Sequence, residues 1–497
     1  MVVLYVLIAL AVIGLLTGVH WYVWRRLVGD TTARGGWVRR TGTAAAFVLP
    51  LMSVGAVISG RAGAPFALQR VLAWPGYLWL ALLLYLTLAL LVGEAVRPLL
   101  GAWLDRRDSA KSADVRSTEG PAVTADDTGA VGPAPAAGDG AGEVAKVAAG
   151  VAAKGPAAGM AESAADEAAE GVAAKPSAQA AADGAVRAAG SGAANSAAGV
   201  AAESAAQTAS KAATDRTAGA APAASRRLFV ARAVAVGATA VAAGTVGYGT
   251  YTVLRGPRVK RITVPLAKLP RRAHGFRIAV VSDIHLGPIL GRAHTQRVVE
   301  AVNRTNPDLI AVVGDLVDGS VADLGPAAEP LRGLRARHGG YFVTGNHEYY
   351  SGADAWVDHV RELGLRPLEN ERTELPGFDL AGVNDVAGES EGQGPDFGKA
   401  LGDRDRSRAS VLLAHQPVMI HDAVKAGVDL QLSGHTHGGQ VWPGTYVAEL
   451  ANPTAAGLER YGDTQLYVTR GAGAWGPPVR VGAPPDVTVV ELASTRT

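Results

Sequence analysis

Five short motifs in the second half of the chain carry side chains that could do chemistry together. They are Asp283-Ile284-His285, Gly314-Asp315-Leu316-Val317-Asp318-Gly319, Gly345-Asn346-His347-Glu348, Ala414-His415 and Gly434-His435-Thr436-His437-Gly438-Gly439. The donors on offer are carboxylates, imidazoles and one amide, with no thiolate. Such ligands suit Mn, Fe, Zn, Co or Ni rather than a soft-metal site. Asp-x-His and His-x-His each place two donors on one segment, and in an extended strand alternate side chains share a face. A carboxylate between two cations roughly 3.5–4 Å apart can bridge them, and the pair can hold a hydroxide and a phosphate. Two divalent cations would bring four positive charges, of which Asp283, Asp315 and a hydroxide remove three. The remaining positive charge favours a phosphate ester and the extra charge of its transition state.

Four of the five motifs begin where a strand candidate ends. The strand candidates are Arg277–Ser282, Leu309–Val313, Tyr341–Thr344, Ser410–Leu413, Asp429–Leu432, Gln465–Thr469 and Val487–Glu491. Between them lie helix candidates at His294–Thr305, Ala327–Arg337 and Asp354–Leu363. Short apolar runs alternating with amphipathic stretches mean an α/β domain, here from Lys260 to the end. Loops beyond the carboxyl ends of such strands are where ligands bind, so distant motifs can converge there.

Taken in this order, the motifs closely resemble those of calcineurin-like metallophosphoesterases. That family's pattern is Asp-x-His, Gly-Asp-x-x-Asp, Gly-Asn-His followed by an acid, a lone His, and Gly-His-x-His, and every element is present between Arg277 and Glu491. The resemblance implies a four-layer α-β-β-α sandwich and a pair of divalent transition metals. By the same resemblance Asp283, His285 and His437 would hold the first metal, Asn346, His415 and His435 the second, and Asp315 would bridge. His347 would protonate the leaving oxygen or stabilise charge, and Asp318 and Glu348 would orient the histidine ligands or His347. The expected activity is hydrolysis of a phosphomonoester, phosphodiester or pyrophosphate by a metal-bridged hydroxide. A lipid or cell-envelope substrate is one candidate and a nucleotide diester the alternative. A non-catalytic sensor or scaffold would have lost a ligand or His347, and none is missing.

The rest of the chain looks different. Residues 2–24, 44–60 and 74–96 are apolar and long enough, or nearly so, to cross hydrocarbon, which makes 1–104 a membrane anchor. Their acidic content is low, Glu94 near one end, which argues against a transport pathway. Arginines cluster at Arg25, Arg26, Arg34, Arg39 and Arg40, and again at Arg97, Arg106 and Arg107. The basic-side rule puts both clusters in the cytoplasm and the N-terminus outside. Residues 105–224 are Ala, Gly, Ser, Glu and Asp with few large apolar side chains, a disordered linker by composition. Residues 225–254 hold a fourth apolar segment behind Ser225-Arg226-Arg227-Leu228-Phe229, which resembles a bacterial twin-arginine export signal. Either as signal or as span, this segment would deliver the 260–497 domain outside a bacterial membrane.

Smaller features complete the picture. The net charge of +2 over 497 residues gives no case for nucleic-acid binding. With no cysteine, disulfides and thiol nucleophiles are excluded. His20, His274, His294, His338, His359 and His421 fall outside the motifs and are expected at the surface or in the core. Trp442, Tyr446, Tyr461 and Trp475 could form an apolar wall for a substrate or pack in the core. The run containing Arg470-Gly471-Ala472-Gly473, Pro478-Val479-Arg480 and Pro484-Pro485-Asp486 resembles the tail of a membrane-associated bacterial subgroup of the family, expected to be a turn and closing strand.

Overall fold

The structure, a computed structural model, describes residues 2–118 and 201–496. By contacts the chain divides into two compact units, Met1–Ser109 with Ala218–Thr497, and Ala110–Thr217. Most of the second unit, and with it most of the expected linker, lies outside the described residues. The linker's two ends, 105–118 and 201–224, are helical.

Four long helices belong wholly or partly to the first unit: α1 (Val2–Trp24), α2 (Trp37–Arg61), α3 (Phe66–Thr118) and α4 (Ala201–Leu254). The stretches long and apolar enough to cross a membrane are Val6–Gly29, which runs from α1 through the π-helical turn Arg25–Gly29, then Trp37–Arg61, Phe66–Ala110 and Arg226–Leu254. The second stretch begins earlier than expected, at Trp37, and Pro50 sits inside α2 without ending it. Where α1, α3 and α4 meet, Val23, Ala81, Leu86, Leu90, Ala238 and Ala242 are buried together.

The remainder is an α/β sandwich. Its first sheet contains β1 (Arg258–Leu266), β2 (Phe276–Val281), β3 (Leu309–Val313), β4 (Gly340–Val343) and β5 (Leu365–Pro367). The chain then builds a second sheet from β6 (Glu371–Leu375), β7 (Phe378–Gly382), β8 (Ala409–Leu413), β9 (Leu430–Ser433), β10 (Gly457–Tyr461) and β11 (Thr464–Val468). Last, β12 (Asp486–Ser494) returns to the first sheet between β1 and β2. The orders are β1-β12-β2-β3-β4-β5 and β10-β11-β9-β8-β7-β6.

Alternation along the strands explains the layers. Ile278 and Val280 of β2 face the other sheet, where they meet Leu380, Val411 and Leu432 in one core. Ala279 and Val281 face the opposite way, onto α5 (Arg292–Asn303), α6 (Val321–Ala328) and α8 (Ala353–Glu362), which follows the short α7 (Asn346–Ser351). On the far side Leu412, Ala414 and Val468 pack against α9 (Phe397–Leu401) and α10 (Ile420–Ala426). Strands buried on both faces read as continuous apolar runs, which is why they stand out in the sequence. The result is the four-layer α-β-β-α arrangement.

One helix expectation fails. Ala327–Arg337 is not a helix: α6 ends at Ala328, and Glu329–Gly333 forms a short 3-10 turn. Pro330 lacks the N–H a continuing helix needs, and Gly333 weakens the next turn.

Candidate metal centre

All five motifs arrive at one edge of the sandwich, each just past a strand's carboxyl end: β2, β3, β4, β8 and β9 in turn. The loop after β2 runs beside the loop after β3, with the N–H groups of Asp283, His285 and Leu286 donating to the carbonyls of Gly314, Asp315 and Leu316. This locks the two carboxylate loops together before any side chain is considered.

The backbone there is unusual. Asp283, His285, Asp315, His435 and His437 all have positive φ, between 48° and 73°. Non-glycine residues rarely adopt this conformation, and when held there by their surroundings they cluster at functional sites. It also corrects one expectation: Asp283 and His285 share a face in a left-handed turn, not on an extended strand. The motif glycines permit the crowding, since a Cβ on Gly314 would come within 2.6 Å of His415 Nδ1.

The donors gather into three overlapping groups, each with ligand atoms within 4.8 Å of one another: Asp283, His285 and His437; His285, Asp315 and His347; Asp315, His415 and His435. His285 Nε2 lies 3.0 Å from His437 Nε2 and 3.7 Å from Asp315 Oδ2. His415 Nε2 is 3.1 Å from Asp315 Oδ2, and Asn346 Oδ1 is 3.1 Å from His435 Nδ1. The two sequence-distant His-containing motifs thus share Asp315 as neighbour.

A second layer holds these rings. Asp318 Oδ1 accepts from Nδ1 of both His285, at 2.9 Å, and His347, at 2.7 Å. Glu348 acts on backbone instead, accepting from the N–H groups of Asp315, Leu316 and Gly345. His415 Nδ1 donates to the carbonyl of Val313. Arg480, 1% exposed, donates to His437 Nδ1 and its carbonyl, and to the carbonyl of Gly473. Its own N–H donates to Gly249 of α4. Arg480 was visible in the sequence only as part of a turn. No local spacing signals a partner 43 residues after its histidine.

The electrostatics follow from burial among unlike charges. Burial disfavours a charged Asp318, yet His285 and His347 hold its carboxyl at about 2. Burial likewise opposes charge on His285, but Asp318, Asp315 and Asp283 outweigh it and raise the ring to about 9. Burial, with Arg480 adding to it, pushes His437 well below the usual range. Burial and Asp315 push Glu348 up to about 7.

Other expected residues lie elsewhere. Arg226, at the start of the apolar stretch of α4, pairs with Asp105 and Asp108, and Arg227 is exposed. Trp442, Tyr446 and Trp475 are exposed rather than core. His294 is buried and belongs to none of the three donor groups.

Residues 276–439 match the calcineurin-like phosphoesterase family. An uncharacterized metallophosphoesterase of Aquifex aeolicus is 35% identical over 240 residues, covering 47% of this chain and 91% of that protein. The chain belongs to the calcineurin-like phosphoesterase family. A Danio rerio protein named as a transmembrane protein with metallophosphoesterase domain is 40% identical over 260 residues, or 49% of this chain. A Helicobacter pylori (strain J99 / ATCC 700824) metallophosphoesterase, also uncharacterized, is 37% identical over 247 residues, again 49% of this chain. The chain spans 59% of the Danio rerio protein's length and 66% of the Helicobacter one.

Proposed function

We propose that the centre is a two-metal phosphoesterase site. The observation that carries this is the linkage of donor groups: two three-residue clusters joined through His285 and Asp315 at the edge of the sandwich. Asp283, His285 and His437 would hold one divalent transition metal, and Asn346, His415 and His435 the other, with Asp315 shared. The residues fit such cations on a separate ground. His415 donates from Nδ1, while its buried Nε2 has no hydrogen-bond partner, although Asp315 lies 3.1 Å away. When bound, two divalent cations supply Lewis acidity toward phosphoryl oxygens and a water of lowered pKa. The protein's own part is to fix donors through Asp318, Glu348 and Arg480. His347, oriented by Asp318, would deliver a proton to the leaving oxygen.

The substrate class is a phosphate ester or pyrophosphate met at a membrane, with a lipid or cell-envelope phosphate the leading candidate. The test is a substrate panel of monoesters, diesters and lipid pyrophosphates, run on the full chain in detergent with Mn, Fe, Zn, Co or Ni after chelation. Hydrolysis that returns with added metal supports the reading. No turnover of any phosphate ester with any metal sinks it.

We also propose that the helices anchor the chain in a bacterial membrane with the 260–497 domain outside, and that Arg226 and Arg227 form the export signal. Their replacement by lysines keeps the charge. It should leave the domain protected from protease added outside intact cells, while the wild type is digested. Equal digestion of both would remove the export signal; protection of the wild type would remove the orientation.

A further inference from the structure

The loop that carries His437 runs straight into an exposed apolar helix. From Gly438 and Gly439 the chain passes Val441 and Trp442 and enters α11 (Gly444–Ala451). Thr445 on its first turn donates back to the carbonyl of Gly438 at 3.1 Å. Tyr446, Val447 and Leu450 are 61%, 67% and 89% exposed, and Trp442 is 48% exposed. At about 100° per residue, Tyr446, Leu450 and Val447 fall within one arc of the helix, and Glu449 lies outside it. A contiguous apolar face of this kind marks an interaction surface rather than ordinary exposure.

What covers it is indicated by its neighbour. Tyr85 of α3 donates to the carbonyl of Trp442 at 2.9 Å. Tyr85 sits midway along Leu78–Leu91, the most apolar part of that span. Val441 and Val481 pack in the same cluster as Leu78, Leu82 and Leu86. The approach to α11 is therefore fastened to α3 at a level where its other faces meet hydrocarbon. A short helix with one outward apolar face, held against a span in this way, sets that face among the acyl chains.

The same segment borders the metal centre. Gln440 donates to the carbonyl of Trp475 at 2.8 Å and accepts from its N–H at 3.0 Å. The Trp475 ring lies 5.6 Å from the His347 ring, and that of Tyr350 lies 5.5 Å from it on an edge. Trp475 and Tyr350 are 53% and 70% exposed. An aromatic rim thus stands between the bilayer-facing helix and the residue placed to protonate a leaving group.

We infer that α11 is inserted in the bilayer and that the centre takes the phosphate of an amphiphile that keeps its acyl chains in the leaflet, entering past Trp475 and Tyr350. This rests on the phosphoesterase reading of the centre. Because the chain has no cysteine, a single introduced one reports cleanly. Leu450→Cys, labelled with an environment-sensitive fluorophore in full-length protein in phosphatidylcholine nanodiscs, should emit blue-shifted and be quenched by doxyl-labelled lipid. Arg406→Cys, on the exposed loop before β8, should do neither. Emission at Leu450→Cys matching Arg406→Cys, or a blue shift with no lipid quenching, which would mean a protein partner or second copy covers the helix, overturns the inference.

A second measurement addresses the substrate. Hydrolysis of bis-p-nitrophenyl phosphate should be inhibited at least about tenfold more effectively by dioleoyl than by dihexanoyl phosphatidic acid. Val447→Ser with Leu450→Ser should abolish that preference and leave the uninhibited rate within about twofold. Equal inhibition by both lipids overturns the lateral route. Absence of any hydrolysis counts against the phosphoesterase reading alone, because the fluorescence result stands apart from it.

Discussion

His285 and His437 face each other with their Nε2 atoms 3.0 Å apart, yet opposite charges stand behind them. Behind His285 is the Asp318 carboxylate, which in its ionised form can only accept, so Nδ1 donates to it and Nε2 is the nitrogen at which a cation would take a proton's place. Behind His437 is the Arg480 guanidinium, which can only donate, so Nδ1 accepts and the neutral ring carries its proton on Nε2, which a cation would have to displace. The two rings would serve one metal but are held in opposite polarity. Their supports also come from different regions. Asp318 lies in the β3 loop, three residues after Asp315. Arg480 lies in the C-terminal tail, fully buried, with its backbone bonded to α4. One side of the centre is set by a local motif. The other depends on the tail and, through it, on the apolar helix α4.

The largest effect should come from removing what both sides share. Asp315 neighbours His285 and His415 and its Oδ1 accepts the N–H of His347. Asp315→Asn takes away the common negative charge, so both metals should be lost together. Turnover should fall by more than the roughly 10–100-fold that loss of an outer partner costs. Metal analysis after dialysis checks it, and two retained metals with near-normal turnover would falsify the shared-ligand assignment.

A smaller effect should spare both sides. His347→Ala removes one of the two rings that donate to Asp318, while His285 keeps its own bond. Both metals should stay, and the rate should fall roughly 10²–10⁴-fold, the scale of general acid catalysis. Esters with good leaving groups need no proton and should lose less. If every ester slows equally, His347 positions the phosphate instead. If metal is lost, Asp318 needs both rings to support His285.

How much of this was legible beforehand follows the same division. The strands that deliver the motifs are buried on both faces, so their apolar runs were plain, and the observed β2, β3, β4, β8 and β9 lie within one residue or so of the expected limits. The edge strands are not legible, and neither is β7, which is buried throughout but short and interrupted by Asp379. Glu371–Leu375 and Gly457–Tyr461 are half-exposed and carry charge, and Leu365–Pro367 is three residues long. The donors of the centre could be named because Asp-x-His and His-x-His are local patterns. The conformation that aims them could not, since positive φ at Asp283 and His437 is imposed by packing from other loops. Nor could the role of Arg480, because a long-range contact through a buried side chain leaves no spacing to recognise.

Arg480 is also where the comparison can be broken on one side only. Its guanidinium joins the carbonyls of His437 and Gly473 and the Nδ1 of His437 in a fully buried pocket. Arg480→Met keeps the length of the side chain and removes every donor. His437 would then lose the bonds that orient its ring and backbone, the Gly473 carbonyl would lose the guanidinium, and the His437 carbonyl would keep only the N–H of Gln440. His415 and His435 touch none of these atoms; His415 is held by Val313 and His435 by Asn346 and the Asp283 carboxylate. The first metal should therefore weaken roughly 10–100-fold, as loss of an outer partner does, while the second stays in place. Titration with metal after chelation should show two classes of site where the wild type fills both over one range. Arg480→Lys, which can donate to only part of this set, should fall between. Equal weakening of both sites would mean that the tail braces the whole edge of the sandwich. No weakening of either would mean that the turn at His437 holds its ring without the guanidinium, and that the opposite polarity of the two supports has no bearing on the metal.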